Sequence, residues 1–367
     1  MSVSYRGISD SSVCRSGIIR AEGTDIIIIN HKDEYMSNLI GIQFDSAEVS
    51  MAQYAGGMLR TYTERMPDNL IRNDQIVSQE TFAEFLKDIK RKGKFTGRAC
   101  AIVLPFSGAY FRTLTMPVMS EEQLKLNLPY EFRDFIGTES FRYNFDYVVK
   151  NFDYDENNNP VSMNLMAAAA SKEMLDKYAL ALRKAGFRLK VAIPTEMAVV
   201  NIAHSAAKHG AELSKEECLC CIGMDHTIFS IIRDGELAAF KIIDIGCAQI
   251  DEAIAGIYNI DQHLAAGYRE TNYEGVLDNE SCQKVYDRLG LEIMKTINFY
   301  RYENQDAEVN KITYIGDCAW VGDHIKNAVA NEDFERRSIG DWLLIGSTDE
   351  DLASQCALAI GAVSADE

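Results

Sequence analysis

The 367-residue sequence predicts an α/β protein of two lobes, each built on a mixed β-sheet. Two observations lead to this fold class. Strand-like segments come in antiparallel clusters that then alternate with helical patterns, and this order occurs twice. In residues 218–246, two apolar runs flank Arg233-Asp234-Gly235-Glu236, whose Asp-Gly pair is the strongest short-range hairpin signal. The composition, 47% hydrophobic and 25% charged, is that of an ordinary globular protein.

Apolar periodicity and turn residues predict the elements up to residue 210. Ser120 followed by Gln123 forms a capping-box pattern, which begins a helix that runs towards Phe135. Gly186 and Gly210 end two later helices. The predicted strands are 26–29, 39–44, 46–54, 98–104, 110–115, 145–152, 160–169 and 189–193, and the predicted helices are 79–91, 120–135, 171–185 and 196–209.

The second half of the chain begins with three predicted strands in residues 218–246. A tight turn at residues 223–227 separates the first two strands, and the Asp-Gly hairpin separates the second from the third. Such a unit can cradle a phosphate, because glycine lets the backbone approach the ligand and neighbouring N–H groups and a hydroxyl supply donors. The elements predicted after it are helices at 248–257, 281–302, 321–331 and 352–363 and a strand at 311–315.

Charge and hydropathy exclude several classes of function. The net charge of −18 argues against binding to nucleic acid or directly to an anionic membrane, because both need a basic surface. A basic or peptide-like protein partner fits such a chain better. No apolar run approaches the roughly 18 residues of a membrane span, and the N-terminal residues lack the apolar core of a secretory signal.

The nine cysteines show no paired framework, which predicts reduced thiols in a cytoplasm. Cys218, Cys220 and Cys221 form a cluster that could suggest a metal site. They lie in an apolar run, however, and no second Cys or His pair stands at zinc-finger spacing. We therefore predict that they are buried core residues on a central strand.

Six motifs, in order, resemble the PilM family of type IV pilus assembly proteins, which belongs to the actin-like superfamily together with the cell-division protein FtsA. The resemblance covers about nine-tenths of the chain, from Leu39 to the C-terminus. The segments that carry it are residues 40–50 (IGIQFDSAEVS), 111–122 (FRTLTMPVMSEE), 185–198, 221–246, 291–300 (LEIMKTINFY), and finally 315–319 (IGDCA) with 359–362 (AIGA).

This resemblance implies an actin-like (ribonuclease H-like) fold of two lobes with mixed five-stranded sheets and a small inserted subdomain. The implied organisation is an N-terminal extension at 1–38, a first lobe at 39–119, 160–210 and 350–364, an inserted subdomain at 120–159, and a second lobe at 211–349.

The same resemblance identifies an altered nucleotide site. The superfamily uses two aspartates to orient Mg²⁺ and the attacking water; their positions hold Gln43 and Cys221. Asp45 replaces the glycine of the first phosphate loop, where its charge would repel a phosphate. Ser50 stands at the family's lysine position, and Asp317 replaces the second glycine of the adenosine turn.

The pieces of the nucleotide site that remain are Ser46, Gly223, Thr227, Glu292 and Gly316. Each also has a plain structural explanation as a turn, strand or solvated helix residue. Asp225 and Asp45 are alternative metal ligands, although aspartate is common in turns for its own sake. We predict no catalytic residue, no metal and no required cofactor, with ATP left open.

The sequence therefore favours a cytoplasmic scaffold of type IV pilus assembly over an enzyme. The resemblance implies that a groove beside the inserted subdomain, roughly residues 120–149, binds the cytoplasmic N-terminal segment of a PilN-like inner-membrane protein. Other pilus-assembly components are further candidate partners. The chain would then lie at the inner face of the cytoplasmic membrane through that partner, without inserting itself. The alternatives are an active PilM-like or FtsA-like ATPase with unconventional ligands, and a sugar or acetate kinase. The chain end, Ala362-Val363-Ser364-Ala365-Asp366-Glu367, does not resemble the amphipathic membrane helix of FtsA.

Overall fold

The computed structural model describes residues 38–44, 47–67, 70–72, 75–105, 107–325, 334–343 and 349–364. The strand predicted at 26–29 lies outside these residues. The strands are β1 Ile40–Phe44, β2 Glu48–Ala55, β3 Met58–Arg65, β4 Ile71–Arg72, β5 Gln75–Ile76, β6 Ala99–Leu104, β7 Ala109–Pro117, β8 Tyr143–Tyr154, β9 Pro160–Ser171, β10 Arg188–Pro194, β11 Glu216–Ile222, β12 Thr227–Arg233, β13 Glu236–Ile243, β14 Lys311–Ile315 and β15 Glu335–Arg337. The helices are α1 Gln79–Lys92, α2 Glu121–Glu131, α3 Arg133–Ile136, α4 Lys172–Lys184, α5 Thr195–Lys208, α6 Cys247–Tyr258, α7 Gln262–Glu270, α8 Glu280–Glu303, α9 Glu350–Gln355 and α10 Ala357–Gly361.

Two five-stranded mixed sheets form the lobes, as the sequence predicts. The first has the order β10-β6-β1-β2-β3 and the second the order β13-β12-β11-β14-β15. In both sheets the first three strands in the chain are antiparallel neighbours, and two parallel strands follow on the other side of the first strand. The predicted Asp-Gly hairpin joins β12 and β13, with positive φ at both Asp234 and Gly235, as a tight two-residue turn requires.

A three-stranded antiparallel sheet, β7-β9-β8, forms the inserted subdomain with α2 and α3. It has a core of its own, which includes Leu128, Phe132 and Leu165. The predicted capping box begins α2: Ser120 accepts from the Gln123 backbone, and the Gln123 side chain accepts from the Ser120 backbone. The domain boundaries stay a prediction, and the sheet includes β7 and all of β9, which lie in ranges that the sequence assigns to the first lobe.

Helices α5 and α10 cross inside the main hydrophobic core, which also includes residues of the second sheet such as Leu219 and Ile228. Glycine is required at this crossing. A Cβ on Gly361 would lie 2.2 Å from the Ala198 carbonyl oxygen, and one on Gly41 would lie 2.0 Å from that of Ala359. A second core lies between the second sheet and helices α6 and α8. The central elements therefore pack backbone to backbone, so their relative positions are closely fixed.

Several local predictions are wrong. The helix predicted at 120–135 ends at Glu131, after Pro129, and the terminal helix is divided at Cys356. In place of a helix beginning at Val321, the described residues hold a 3₁₀ turn at Ala319–Asp323. Strand β3 and helix α7 were not predicted. Cys247 and Cys318 form a disulfide bond, so the prediction of reduced thiols fails for this pair.

Candidate functional site

The candidate nucleotide site lies where the parallel strands of both lobes end. Strands β1, β6 and β10 end at one edge of the first sheet, and β11 and β14 end at one edge of the second. Ligands of open α/β sheets bind outside such carboxyl ends. The turn after β14 touches the first lobe, because Asp317 forms a side-chain hydrogen bond with Glu48 of β2. The site therefore lies where the two sheet edges face each other, a region that we call the cleft.

The structure brings Gly223 and Gly316 together. Gly316 has a φ of +94°, and a Cβ at this position would lie 2.6 Å from the Ile222 carbonyl oxygen. That same oxygen accepts a hydrogen bond from the Cys318 N–H at 3.1 Å. Both the backbone conformation and the close approach require glycine at position 316. The two turns are therefore one packed unit rather than separate loops.

The turn at Gly223 uses its polar backbone groups within the protein. The Gly223 N–H donates to the His226 carbonyl at 3.1 Å. The carbonyls of Gly223 and Met224 accept from Cys247 at 3.1 Å and from Ala248 at 2.8 Å, which begin helix α6. The N-terminal donors of a helix and a glycine turn are the usual groups of a phosphate cradle. Here the first N–H groups of α6 donate to the carbonyls of the glycine turn instead.

Thr227 and Glu292 are also engaged elsewhere. The Thr227 hydroxyl is fully buried and donates to the Ile245 carbonyl at 2.7 Å. Glu292 lies on α8 and pairs with Lys295 at 2.6 Å, and this hydrogen bond holds the pKa of Glu292 below its usual range. None of the described contacts of Glu292 involves either glycine turn. Ser46 lies outside the described residues. Of the five predicted site residues, Gly223, Thr227 and Gly316 share one region.

The positions where the superfamily has other residues are packed as structural positions. Gln43 on β1 pairs with Ser50 on β2, and the Ser50 hydroxyl lies 3.3 Å from both Glu48 Oε1 and the Gln355 carbonyl oxygen. Cys221 is 9% exposed, and its Sγ would lie 3.3 Å from a Cβ on Gly316. The Cys221 side chain therefore packs against the turn that contains Gly316.

Two carboxyl groups meet across the cleft. Burial, and then the neighbouring charge of Glu48, raise the pKa of Asp317 to about 8. A hydrogen bond between two carboxyl groups requires that they share a proton, so the pair is favoured as a singly charged unit. A nucleotide phosphate would meet this negative charge where a cation normally compensates it.

Glu196 also lies at this edge of the first sheet, although no motif marks it as a site residue in the sequence. It lies in the first turn of α5, directly after the carboxyl end of β10, and burial raises its pKa to about 7. A carboxyl group with such a pKa can act as a general base near neutral pH. Its position after a buried strand was readable from the sequence, but its burial depends on several elements.

The described residues offer no cluster of side chains suited to a metal ion. In the described part of the chain, no group of three or more His, Cys, Asp or Glu side chains could hold a metal ion. Cys218, Cys220 and Cys221 are buried on β11, which confirms their predicted placement on a central strand. Over the same described residues, no helix combines the length and the apolar character that crossing a membrane demands.

The junction between the inserted subdomain and the first lobe is the second candidate site. On β8, Asn144, Asp146 and Val148 share one face, and Val148 belongs to the main core, so this face points towards the first lobe. Asp146 is 2% exposed and accepts from the Tyr147 N–H at 2.9 Å. The Oδ1 atom of Asn144 is buried and has no hydrogen-bond partner within the structure described. An unpaired buried acceptor is unfavourable unless a donor reaches it.

The outer surface of the same subdomain carries aromatic side chains under arginines. Arg133 lies 5.5 Å from the ring of Tyr130, and Arg112 lies 5.3 Å from that of Phe135. Tyr130 is 63% exposed and Phe135 48%. Aromatic and arginine side chains are the residues most enriched at protein interfaces.

Comparison with known proteins agrees with this geometry. A family model described as type IV pilus assembly protein PilM matches residues 44–336. The fold is similar to that of a "PilM-PilN type IV pilus biogenesis complex" chain, with a TM-score of 0.74, 16% identity, and 90% of this chain and 99% of that chain covered. It is also similar to ethanolamine utilization protein EutJ from Carboxydothermus hydrogenoformans, with a TM-score of 0.53, 12% identity, and 90% and 94% covered. No curated protein matches the sequence significantly. The two-lobed fold is the actin-like one that the sequence predicts.

Proposed function

Because the chain belongs to the PilM family of type IV pilus assembly proteins, we propose that it is a cytoplasmic scaffold of pilus assembly without ATPase activity. Its partner is the short cytoplasmic N-terminal segment of a PilN-like inner-membrane protein, through which the chain is held at the inner face of the cytoplasmic membrane. The solved relative with the same fold is described as a PilM–PilN complex, which supports this partner.

The observation that carries the proposal is the pair of buried acceptors at the subdomain junction. An extended peptide offers a row of N–H donors, and the unpaired Asn144 Oδ1 can accept one of them beside the buried carboxylate of Asp146. Strand β7 lies at the edge of its sheet, which also allows strand addition. The chain's charge of −18 favours a segment that carries basic residues.

The absence of ATP hydrolysis is proposed from the cleft. Its glycine turns use their donors internally, Gln43 and Cys221 stand at the metal positions, and the Glu48–Asp317 pair adds negative charge. Each of these weakens the binding of Mg-ATP, and together they remove the charge neutralisation that phosphoryl transfer needs. The partner site lies apart from this cleft, so binding of the partner does not require nucleotide.

Calorimetric titration with a peptide that copies the N-terminus of the cognate PilN-like protein tests the partner. We expect micromolar affinity, about −8 kcal/mol. Asn144→Ala together with Asp146→Asn should weaken binding about tenfold or more, since two buried hydrogen-bond acceptors are lost or weakened. Asn157→Ala, at the exposed tip of the β8–β9 hairpin, is the matched control and should bind normally. Equal affinity for all three proteins would place the partner elsewhere. Deleting residues 120–149 should also abolish binding, but it would remove the first half of β8, so the point variants are the more specific test.

Nucleotide is tested by the same method with ATP and Mg²⁺, and we expect weak or absent binding and no turnover. The triple change Gln43→Asp, Asp45→Gly and Cys221→Asp should improve binding if the pocket keeps its shape, with a melting curve as the check of folding. Turnover by the natural chain that Glu196→Gln abolishes would instead establish the alternative, an ATPase with unconventional ligands. The observation that favours this alternative is the pKa of Glu196, which burial raises to about 7.

A further inference from the structure

Three tyrosines form one continuous patch on the helical layer of the second lobe, far along the chain from the inserted subdomain. The ring centroids of Tyr258 and Tyr268 are 5.1 Å apart, those of Tyr268 and Tyr273 are 4.3 Å apart, and those of Tyr258 and Tyr273 are 5.9 Å apart. Leu264 lies one helical turn before Tyr268 on α7. We call Tyr258, Leu264, Tyr268 and Tyr273 the tyrosine face. Tyr273 is 42% exposed and Leu264 46%, so the face is open to a partner.

The loop that carries Tyr273 is held in an unusual backbone conformation. Asn272, Glu274 and Gly275 all have positive φ, at 45°, 51° and 73°. The Asn272 side chain accepts from the Leu277 N–H at 3.1 Å, and its carbonyl accepts from the Gly275 N–H at 2.9 Å. A glutamate in the left-handed region is strained, and these bonds hold it there. The result is that Tyr273 and Glu274 stand side by side on the surface.

The charge around the face is negative. Residues 251–280 contain seven carboxyl side chains and a single arginine. Glu270 pairs with Arg65 and Glu280 with Lys284, both from outside this segment, so the excess of negative charge comes from Glu252, Asp261, Glu274 and Asp278. The arginine of the segment, Arg269, is buried and paired with Asp251 at 2.6 Å, so it presents no charge to a partner. Glu274 lies 3.5 Å from the Tyr258 hydroxyl, and its charge raises the pKa of Tyr273. A negative charge beside exposed aromatic rings selects for a cation that can also stack on a ring.

We propose that the tyrosine face is a docking surface for an arginine-rich segment of a protein partner. The guanidinium group stacks on tyrosine rings and pairs with a carboxylate in the same geometry, which lysine does less well. An anionic lipid surface or a nucleic acid would be repelled by the same carboxylates. The surface lies on α6, α7 and the following loop, so it is independent of the groove that holds the PilN-like segment.

The test uses the full chain and a fluorescently labelled, end-blocked, arginine-rich peptide with leucine spacers, followed by anisotropy. Matched peptides carry lysine or glutamate in place of arginine. We expect the arginine peptide to bind most tightly. Tyr273→Leu should weaken it about fivefold or more, while Tyr273→Phe, which keeps the ring, should bind as the natural chain does. Glu274→Gln should weaken binding and reduce its dependence on salt.

The control is Tyr302→Leu, which removes a tyrosine of 84% exposure from α8, outside the face. It should leave binding of the arginine peptide unchanged. If Tyr273→Leu and Tyr302→Leu behave alike, the peptide is held by net charge alone and the proposal is overturned. Self-association that Tyr273→Leu abolishes, with no peptide binding, would also overturn it and assign the face to a second copy of the chain. Binding of the PilN-like peptide to Tyr273→Leu should be normal, so failure here leaves the proposed function intact.

Discussion

The two lobes share one strand arrangement, but they insert different structures into it. In the first lobe a single helix, α1, leads to the fourth strand of the sheet, and the inserted β-subdomain precedes the fifth. In the second lobe the layer of α6, α7 and α8 leads to the fourth strand. The shared part is therefore a scaffold, and the inserted parts distinguish the lobes.

Exposed apolar surface follows the insertions rather than the scaffold. Among the residues that the structure describes, fourteen large apolar side chains are exposed. Six lie in the inserted subdomain and six in α6, α7, α8 and the loop between them, which leaves only Met58 and Val77 elsewhere. Exposed apolar groups that cluster indicate interaction surfaces. The polar groups of the cleft are therefore engaged within the protein, whereas the insertions present surface that is available for binding.

The largest expected effect concerns the buried ion pair of the second-lobe insertion. Arg269 and Asp251 are both more than nine-tenths buried and lie 2.6 Å apart. Burial raises the pKa of Asp251 even though Arg269 opposes this. Asp251→Ala leaves the arginine buried without its partner and should lower the free energy of unfolding by about 3–5 kcal/mol.

Urea denaturation measures this loss. The control is Glu280→Gln, which breaks the exposed pair of Glu280 with Lys284 and should change stability by less than about 0.5 kcal/mol. A two-step transition in Asp251→Ala would show that the helical insertion unfolds apart from the shared sheet, which would sharpen the division between scaffold and insertion.

The second prediction compares the stability change of a glycine substitution in the shared scaffold with that of one in the second-lobe insertion. Gly361→Ala places a Cβ against the Ala198 carbonyl in the α5–α10 crossing, so it should destabilise the protein by about 1–3 kcal/mol. Gly256→Ala on α6 meets nothing within 4 Å and should stabilise by about 0.5–1 kcal/mol, because alanine favours helix. Thermal melting of both variants checks the signs. A harmless Gly361→Ala would contradict the close packing of α10 against α5.

A smaller, pH-dependent effect tests the cleft. Burial and the charge of Glu48 raise the pKa of Asp317 to about 8 in the folded chain, against about 3.9 for an aspartate in an unfolded chain. The folded state therefore binds a proton that the unfolded state has released, so the contribution of Asp317 to stability is present below about pH 4 and is lost as the pH rises to about 8. Asp317→Asn cannot ionise and should be stabilised relative to the natural chain at pH 9 more than at pH 5.

Melting temperatures across this range check the difference. Asp278→Asn, an exposed carboxyl of the second-lobe insertion, is the control and should follow the natural chain. If Asp317→Asn also follows it at every pH, Glu48 and Asp317 do not share a proton and the cleft is more open than described.

The sequence predicted what depends on local signals. The Asp-Gly hairpin, the Ser120 capping box and the burial of Cys218 all follow from short patterns, and all are confirmed. Strand β3 was missed because its residues are mostly half-buried and polar, without a clear apolar face. The Cys247–Cys318 bond joins residues 71 apart in the chain, a separation that no local pattern reveals.

In the candidate site, too, some features follow from local sequence patterns and others depend on tertiary contacts. Glycine at 223 and 316 could be read as turn residues from the sequence, and the structure brings the two turns together. The burial of Thr227 against Ile245 and the raised pKa of Glu196 depend on contacts between distant segments. A residue type can therefore indicate a site, but only tertiary packing decides whether its polar groups remain free for a ligand.

The last prediction, with the smallest expected signal, concerns the thiols of β11. Cys218 and Cys220 are fully buried in the scaffold, and burial raises the pKa of both thiols well above the ordinary range. Thiolate is the reactive form, so both effects slow reaction with a thiol reagent. In a Cys14→Ser background, which removes the cysteine outside the described residues, we expect almost no labelling of the native chain and labelling of the six free thiols, but not of the disulfide pair, after denaturation. Rapid native labelling of two or more of Cys218, Cys220 and Cys221 would contradict the placement of β11 at the centre of the second sheet, and with it the shared scaffold on which the comparison of the lobes rests.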